Sequence, residues 1–257
     1  MSDMSIGGSS SRIYGQIASG SALPTAAAGP AEMAIAEREE TQATGLNVGA
    51  DNMKSGVELS NVADGGLANI TDSLQRMREL AIQASNDTLT DSDRSHIQDE
   101  IDQLKQGISD IANQTTYNTK NLLDGSNSNI KIATDSNPNS VTVNTGDATL
   151  EALGIKDFDV TKRDFNIDDI DKAIQSVNDT RSNIGAKTNA LEHGINYNYN
   201  AAENTTSAQS RLEDLDIPKA VTDLKKKETL DTYQVMMQKM KQDNERAQSN
   251  QLFGNIG

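Results

Sequence analysis

Residues 60–86 read SNVADGGLANITDSLQRMRELAIQASN, and their spacing decides the fold. Small or apolar side chains recur at Ser60, Ala63, Leu67, Ile70, Leu74, Met77, Ala81 and Ala84 in alternating steps of three and four, the seam of a helix packed in a coiled coil. The same spacing runs back through Met53, Gly49 and Leu46. The helix is therefore expected to span about forty residues, roughly 60 Å at about 1.5 Å per residue. Such a rod cannot bury its own stripe, so the rest of the chain must supply partners.

A second seam follows at once. Asn86 to Thr90 interrupts the first rod, and Thr90 with Asp93 forms a capping pair for a helix carrying Ile97, Ile101, Leu104, Ile108 and Ile111. The short connection makes it an antiparallel neighbour. After Gln114 two alternating runs, Ile130 to Thr134 and Val141 to Asn144, flank the turn formers Asp135, Asn137, Pro138 and Asn139 and read as a β-hairpin. An isolated hairpin is marginal in water, so it should lie on the helices, with Leu122, Leu123, Leu150, Leu153 and Ile155 as anchors.

Asn166 then caps a third rod, ending near Leu215, with the seam Ile167, Ile170, Ile174, Val177, Ile184, Leu191, Ile195 and Ala202. Arg181, Thr188 and Asn198 intrude on that seam, and Asp168 with Lys172 has the spacing of an i, i+4 ion pair. Asp216-Ile217-Pro218 punctuates the chain before a last helix from Lys219 to about Leu252. Its stripe is Lys226, Leu230, Tyr233, Met237 and Met240, with Met236 alongside; only a short helix around Arg12 to Ala18 offers itself as a partner. Short of partners, this last helix is expected to be disordered in the free subunit. Pro24 and Pro30 bound an irregular connector, and helix resumes from Ala31. The fold class is mainly α: an elongated antiparallel helical bundle or coiled coil with a small β-hairpin.

Composition narrows the function. With 23 basic and 38 acidic residues the net charge is −15, which repels phosphate backbones and anionic membranes and argues against nucleic-acid or membrane partners. No apolar run is long enough to span a bilayer, and MSDMSIGGSSSRIYGQ lacks the pattern of a cleaved signal peptide. There is no Cys, so no disulfide, thiolate nucleophile or zinc-thiolate site, and aromatic residues are only five Tyr and three Phe. His96 and His193 fall on different rods without metal-ligand spacing. Asp168, Asp169 and Asp171 sit at a helix start and complement its dipole, Lys225 to Lys227 read as a solvated face, and Gly7-Gly8 and Gly65-Gly66 lack a nucleotide-binding frame. No cofactor, metal or catalytic constellation is expected, and the chain does not read as an enzyme.

The stretch Leu74-Gln75-Arg76-Met77-Arg78-Glu79-Leu80-Ala81-Ile82-Gln83-Ala84-Ser85-Asn86 resembles the LQR-x-REL-A-x-Q-x-x-N signature of bacterial flagellins. Supporting likenesses are Ile17 to Gly20, Ala34-Ile35-Ala36, Ile97 to Ile101, Gln114 to Asn118, Ala208 to Arg211 and Asp216-Ile217. The segment before Ser19-Gly20 is shorter than the family's, and Ala22 to Glu32 lacks the usual Arg, Asn and paired Asp of the connector. The resemblance implies a short flagellin with two domains: residues 1–42 and 216–257 as the D0-like terminal helices, and residues 43–215 as the D1-like rod, with the hairpin region at 117–165. It implies a self-assembling filament subunit for motility, an extracellular location, type III export, an export chaperone, and recognition by the vertebrate Toll-like receptor for flagellin. A hook-filament junction protein and a non-polymerising coiled-coil adaptor are the alternatives.

Arg76, Leu80 and Gln83 form a stripe beside the seam of the first rod, with Leu80 on its shoulder. By spacing alone, Leu80 is either an edge residue covered by a neighbouring helix or part of a recognition surface. By the resemblance, Gln75, Arg76, Glu79, Leu80, Gln83 and Glu100 form the surface taken by the receptor on the monomer and by neighbouring subunits in the filament.

Overall fold

The computed structural model describes residues 8–25, 27, 29–135 and 139–253. In chain order these form α1 (Gly8–Ser19), α2 (Pro30–Ala84), α3 (Asp91–Gln114), β1 (Thr116–Tyr117), β2 (Lys120–Asn121), β3 (Asn129–Ala133), β4 (Ser140–Asn144), α4 (Ile167–Glu213) and α5 (Ile217–Phe253). Helix dominates, and the strands make two small antiparallel pairs, β1 with β2 and β3 with β4. The chain divides into two compact units, Gln42–Glu203 and Met1–Thr41 with Asn204–Gly257, so the division falls inside α2 and α4.

In the Gln42–Glu203 unit the α2 seam is the core. Leu46, Gly49, Met53, Ser60, Ala63, Leu67, Ile70, Leu74, Met77, Ala81 and Ala84 are all buried. They meet Ile97, Ile101 and Ile108 of α3 and Ile170, Val177, Ile184 and Leu191 of α4, while Leu104 and Ile174 are half-buried against the same cluster. Both neighbours run antiparallel to α2, since Glu100 meets Arg76 where Arg94 meets Ala84, and Asp171 meets Arg78 where Asn198 meets Leu46. The α3 cap is a complete capping box: Thr90 Oγ1 accepts from the Asp93 amide at 3.3 Å, and the Thr90 amide donates to Asp93 Oδ2 at 2.9 Å. Asn166 Oδ1 accepts from the Asp168 amide at 3.0 Å.

The polar intrusions on α4 have partners. Arg181 Nε reaches Asp64 Oδ1 at 2.8 Å, and Thr188 Oγ1 donates to the Ile184 carbonyl at 3.0 Å. Asn198, 4% exposed, donates through Nδ2 to Leu46 O at 3.1 Å and Thr134 O at 2.6 Å, joining α4, α2 and the end of β3. The expected Asp168–Lys172 pair is not formed; Lys172 Nζ lies 3.2 Å from Asp169, one residue nearer along the same helix.

The hairpin pairs Ile130 with Val143 and Ile132 with Val141. Leu122, Leu123 and Ile155 are fully buried and Leu153 is 6% exposed, so the loop residues anchor the hairpin as expected. Of the four turn formers, Asp135 and Asn139 are joined by a 3.2 Å side-chain hydrogen bond, while Asn137 and Pro138 lie outside the described residues. The β1–β2 pair was not evident from alternation: its two-residue turn has Asn118 and Thr119 at φ 46° and 65°, both left-handed as a tight hairpin turn requires. At Gly49 a Cβ would lie 2.0 Å from the Thr134 carbonyl oxygen, so glycine there permits the close approach of the hairpin backbone.

In the other unit α1 stops at Gly20, whose φ of 71° suits a glycine past a helix end. Ser21 bridges Asp214, and the Ala22 amide donates to Glu213 O at 2.6 Å. Asp216 Oδ1 caps α5 through the Lys219 amide at 3.1 Å. Packing on α5 uses Ala220 and Leu224, and Tyr14 of α1 donates its hydroxyl to Glu228. Leu230, Tyr233, Met237 and Met240 of the expected stripe are exposed, in keeping with its shortage of partners within the chain. Residues 217–253 are helical. Lys, Gln, Glu, Met and Arg are strong helix formers, a local preference that counting tertiary partners leaves out.

Hydrogen bonds from the Thr90, Ser126 and Thr161 hydroxyls hold the Asp93, Asp124 and Asp159 carboxyls below the ordinary carboxylate range. Their contribution to stability is complete above the unfolded value near about pH 4 and is lost as pH falls through the lower native values. The thermal midpoint should drop on acidification from about pH 5 to about pH 2, and Thr161→Val should flatten part of that slope; circular-dichroism melts across this range check it. Gly49→Ala should cost about 1–3 kcal/mol in urea unfolding. Gly107→Ala, where a Cβ meets nothing within 4 Å, should gain about 0.5–1 kcal/mol in the same assay.

Candidate functional site

Met77 is fully buried, so its neighbours Arg76 and Arg78 emerge on either side of the seam. Each reaches a different helix. Arg76 donates through Nε and Nη2 to Glu100 Oε1 on α3 at 2.8 and 2.7 Å, and through Nη1 to Glu79 Oε2 at 3.1 Å. Arg78 Nε meets Asp171 Oδ1 on α4 at 2.6 Å. The Arg76 guanidinium is held more firmly protonated than usual, first by its hydrogen bond to Glu100 and then by that to Glu79.

The structure thus brings Arg76, Glu79 and Glu100 into one ion-pair cluster on the α2–α3 face, with Gln75 and Gln83 exposed on the same helix. Of the two readings of Leu80, the structure gives the covered edge residue. It is 2% exposed and belongs to the core, because packing by more than one neighbour widens the apolar stripe beyond the coiled-coil seam. The surface is therefore polar and charged, flat, with a buried leucine one turn beyond Arg76.

His96 and His193 are exposed on α3 and α4, and among the described residues no three His, Asp or Glu side chains are grouped to hold a metal ion. Among the described residues no helix is long and apolar enough to cross a membrane. A surface of opposed charges and amides suits recognition by another macromolecule.

Two family models match this chain: the bacterial flagellin N-terminal helical region over residues 9–128, and the bacterial flagellin C-terminal helical region over residues 167–249. Flagellin of Halalkalibacterium halodurans is 35% identical over 210 residues, covering 79% of this chain and 77% of the relative. Flagellin of Bacillus subtilis is 34% identical over 254 residues, covering 84% and 83%. The crystal structure of Bacillus cereus flagellin aligns with a TM-score of 0.52 at 30% identity, over 58% of this chain and 88% of that one.

Arg94 escaped the sequence reading. It is 4% exposed, and its Nη1 donates to the Ala84 carbonyl while Nη2 donates to Asn86 O at 3.1 Å. A cation in the first turn of α3 opposes that helix's own dipole, and this anomaly was the available signal. The guanidinium serves instead the carbonyl end of α2, holding the turn that sets Glu100 opposite Arg76. Arg94→Met removes the donors and leaves buried carbonyls unpaired, which should cost about 2–3 kcal/mol in urea unfolding. Arg94→Lys should recover part of the loss, and a fully stable Arg94→Met protein would refute the role.

Proposed function

We propose, from the fact that this chain belongs to the bacterial flagellin family, that it is a structural subunit of a flagellar filament and that its α2–α3 ion-pair face is a subunit interface. The family is one of structural proteins, and polymerisation into a homo-oligomeric, extracellular filament is the activity it implies. The observation that carries the interface is the Arg76–Glu79–Glu100 cluster, of which Arg76 and Glu79 lie on the stretch resembling the family signature. Side chains tied to one another across two helices are pre-ordered, so a partner binding them loses little conformational freedom.

On this reading Gln42–Glu203 plays the part of the D1 rod, and the unit of the chain ends plays that of D0. In the free subunit the same face, with Gln75 and Gln83, is available to the Toll-like receptor for flagellin. The apolar outer half of α5 suits an export chaperone before assembly.

Negative-stain microscopy of concentrated protein tests the filament, which should form with the parent chain and less readily with Arg76→Ala or Glu100→Ala. Persistent monomers of the parent would favour the coiled-coil adaptor. Receptor-ectodomain affinity should fall roughly tenfold with Arg76→Ala, and unchanged affinity would remove the receptor from the proposal. Leu80→Ala is unsuitable as a surface probe, since emptying a buried leucine costs about 2–5 kcal/mol of fold stability.

A further inference from the structure

Eight methionines are present; among the described residues Met33 is half-buried, and five others fall into two contrasting groups. Met53 and Met77 are 1% and 0% exposed in the bundle core, whereas Met236, Met237 and Met240 of α5 are 64%, 49% and 59% exposed. The three exposed thioethers share one side of α5 with Tyr233, itself 62% exposed, at helical steps of three and four. Flexible and polarisable, they suit a surface that must accommodate a partner. The same helix carries Lys239 and Lys241 followed by Asp243 and Glu245, so staggered copies of it present opposite charges to one another.

We propose that Met236, Met237 and Met240 are a modification site at which peroxides switch off self-association of this chain. This rests on the filament reading, with a second copy of the chain taken to cover this face of α5 as well. The thioether sulfur attacks one peroxide oxygen, the O–O bond breaks, and an S–O bond forms. Sulfur is oxidised by two electrons, hydrogen peroxide is reduced, and the proton on the transferred oxygen passes to the departing hydroxide, giving sulfoxide and water. Each product sulfoxide carries a strong dipole where the parent had an apolar atom, and burying it against another helix then requires a hydrogen-bond partner. The helix can keep its backbone while its outer face ceases to be apolar. Met53 and Met77 are shielded by the bundle, which keeps the chemistry out of the core.

The test treats the full-length monomer with dilute hydrogen peroxide, quenches it, maps oxidised peptides by mass spectrometry and follows polymerisation by light scattering. Met236, Met237 and Met240 should gain oxygen before Met53 and Met77, and the treated protein should need about tenfold more protein to polymerise. In M236L/M237L/M240L, compared with its own untreated baseline, treatment should no longer shift polymerisation. Treated parent protein polymerising like untreated, or a triple variant still inhibited, would overturn the proposal. Should untreated parent fail to polymerise, the filament reading falls and the peptide map alone decides the modification site, equal oxidation of Met77 and Met240 counting against it.

Discussion

Burial of one face of α2 is the constraint from which the rest of the structure follows. Leu67, Ile70, Leu74 and Met77 are at most 1% exposed, and each such side chain contributes about 1.5–3 kcal/mol on leaving water. Ordering a residue costs about 1–2 kcal/mol of backbone freedom, and a strict seam supplies only about two apolar positions in seven. The seam alone therefore cannot sustain the helix. It must be enclosed by several neighbours, and α3, the hairpin and α4 share that task. With few aromatic residues available, close approach replaces bulk: Ala63, Ala81 and Ala84 are fully buried, and Gly49 lets the Thr134 carbonyl touch the helix.

Apolar seams slide easily, and the polar residues fix their register. Asn198 would be costly to bury without partners, and it finds both only where α4, α2 and the hairpin end meet. Arg94 finds acceptors for Nη1 and Nη2 only where the last carbonyls of α2 face the first turn of α3. The exposed pairs Arg76–Glu100 and Arg78–Asp171 add little to stability, since exposed ion pairs are weak, but they specify which flank of α2 receives which helix. The candidate interface is thus a by-product of register: the same contact that orients α3 also presents a charged, pre-ordered face.

What was legible in the sequence is what is local. The heptad steps of α2, the Thr90–Asp93 capping box, the Asn166 cap and the alternation of β3 and β4 are set by neighbours a few residues away, and the structure follows them. Membership of the flagellin family was legible too, in residues 74–86, and the family models match on both sides of the hairpin. Contacts that depend on a second neighbour were not legible. Spacing along α2 leaves Leu80 open between cover by a neighbouring helix and exposure, and burial by that neighbour decides it. The carbonyl end of α2, which Arg94 serves, is close in space but belongs to another helix.

The outward half of α5 shows how far such reasoning extends to assembly. Its residues favour helix, but in proteins most of a helix's stability comes from packing an apolar face rather than from propensity. Leu230, Tyr233 and Met240 are each more than half exposed on it, an apolar area with no compensation in the described part of the chain. The bundle solved the same difficulty for α2 by supplying partners in cis. On the filament reading the supply for α5 comes in trans, so part of the free energy that holds this helix is available only when another molecule lies against it. Stability of the chain end and association then become one equilibrium, and any change that makes the face polar acts on both at once.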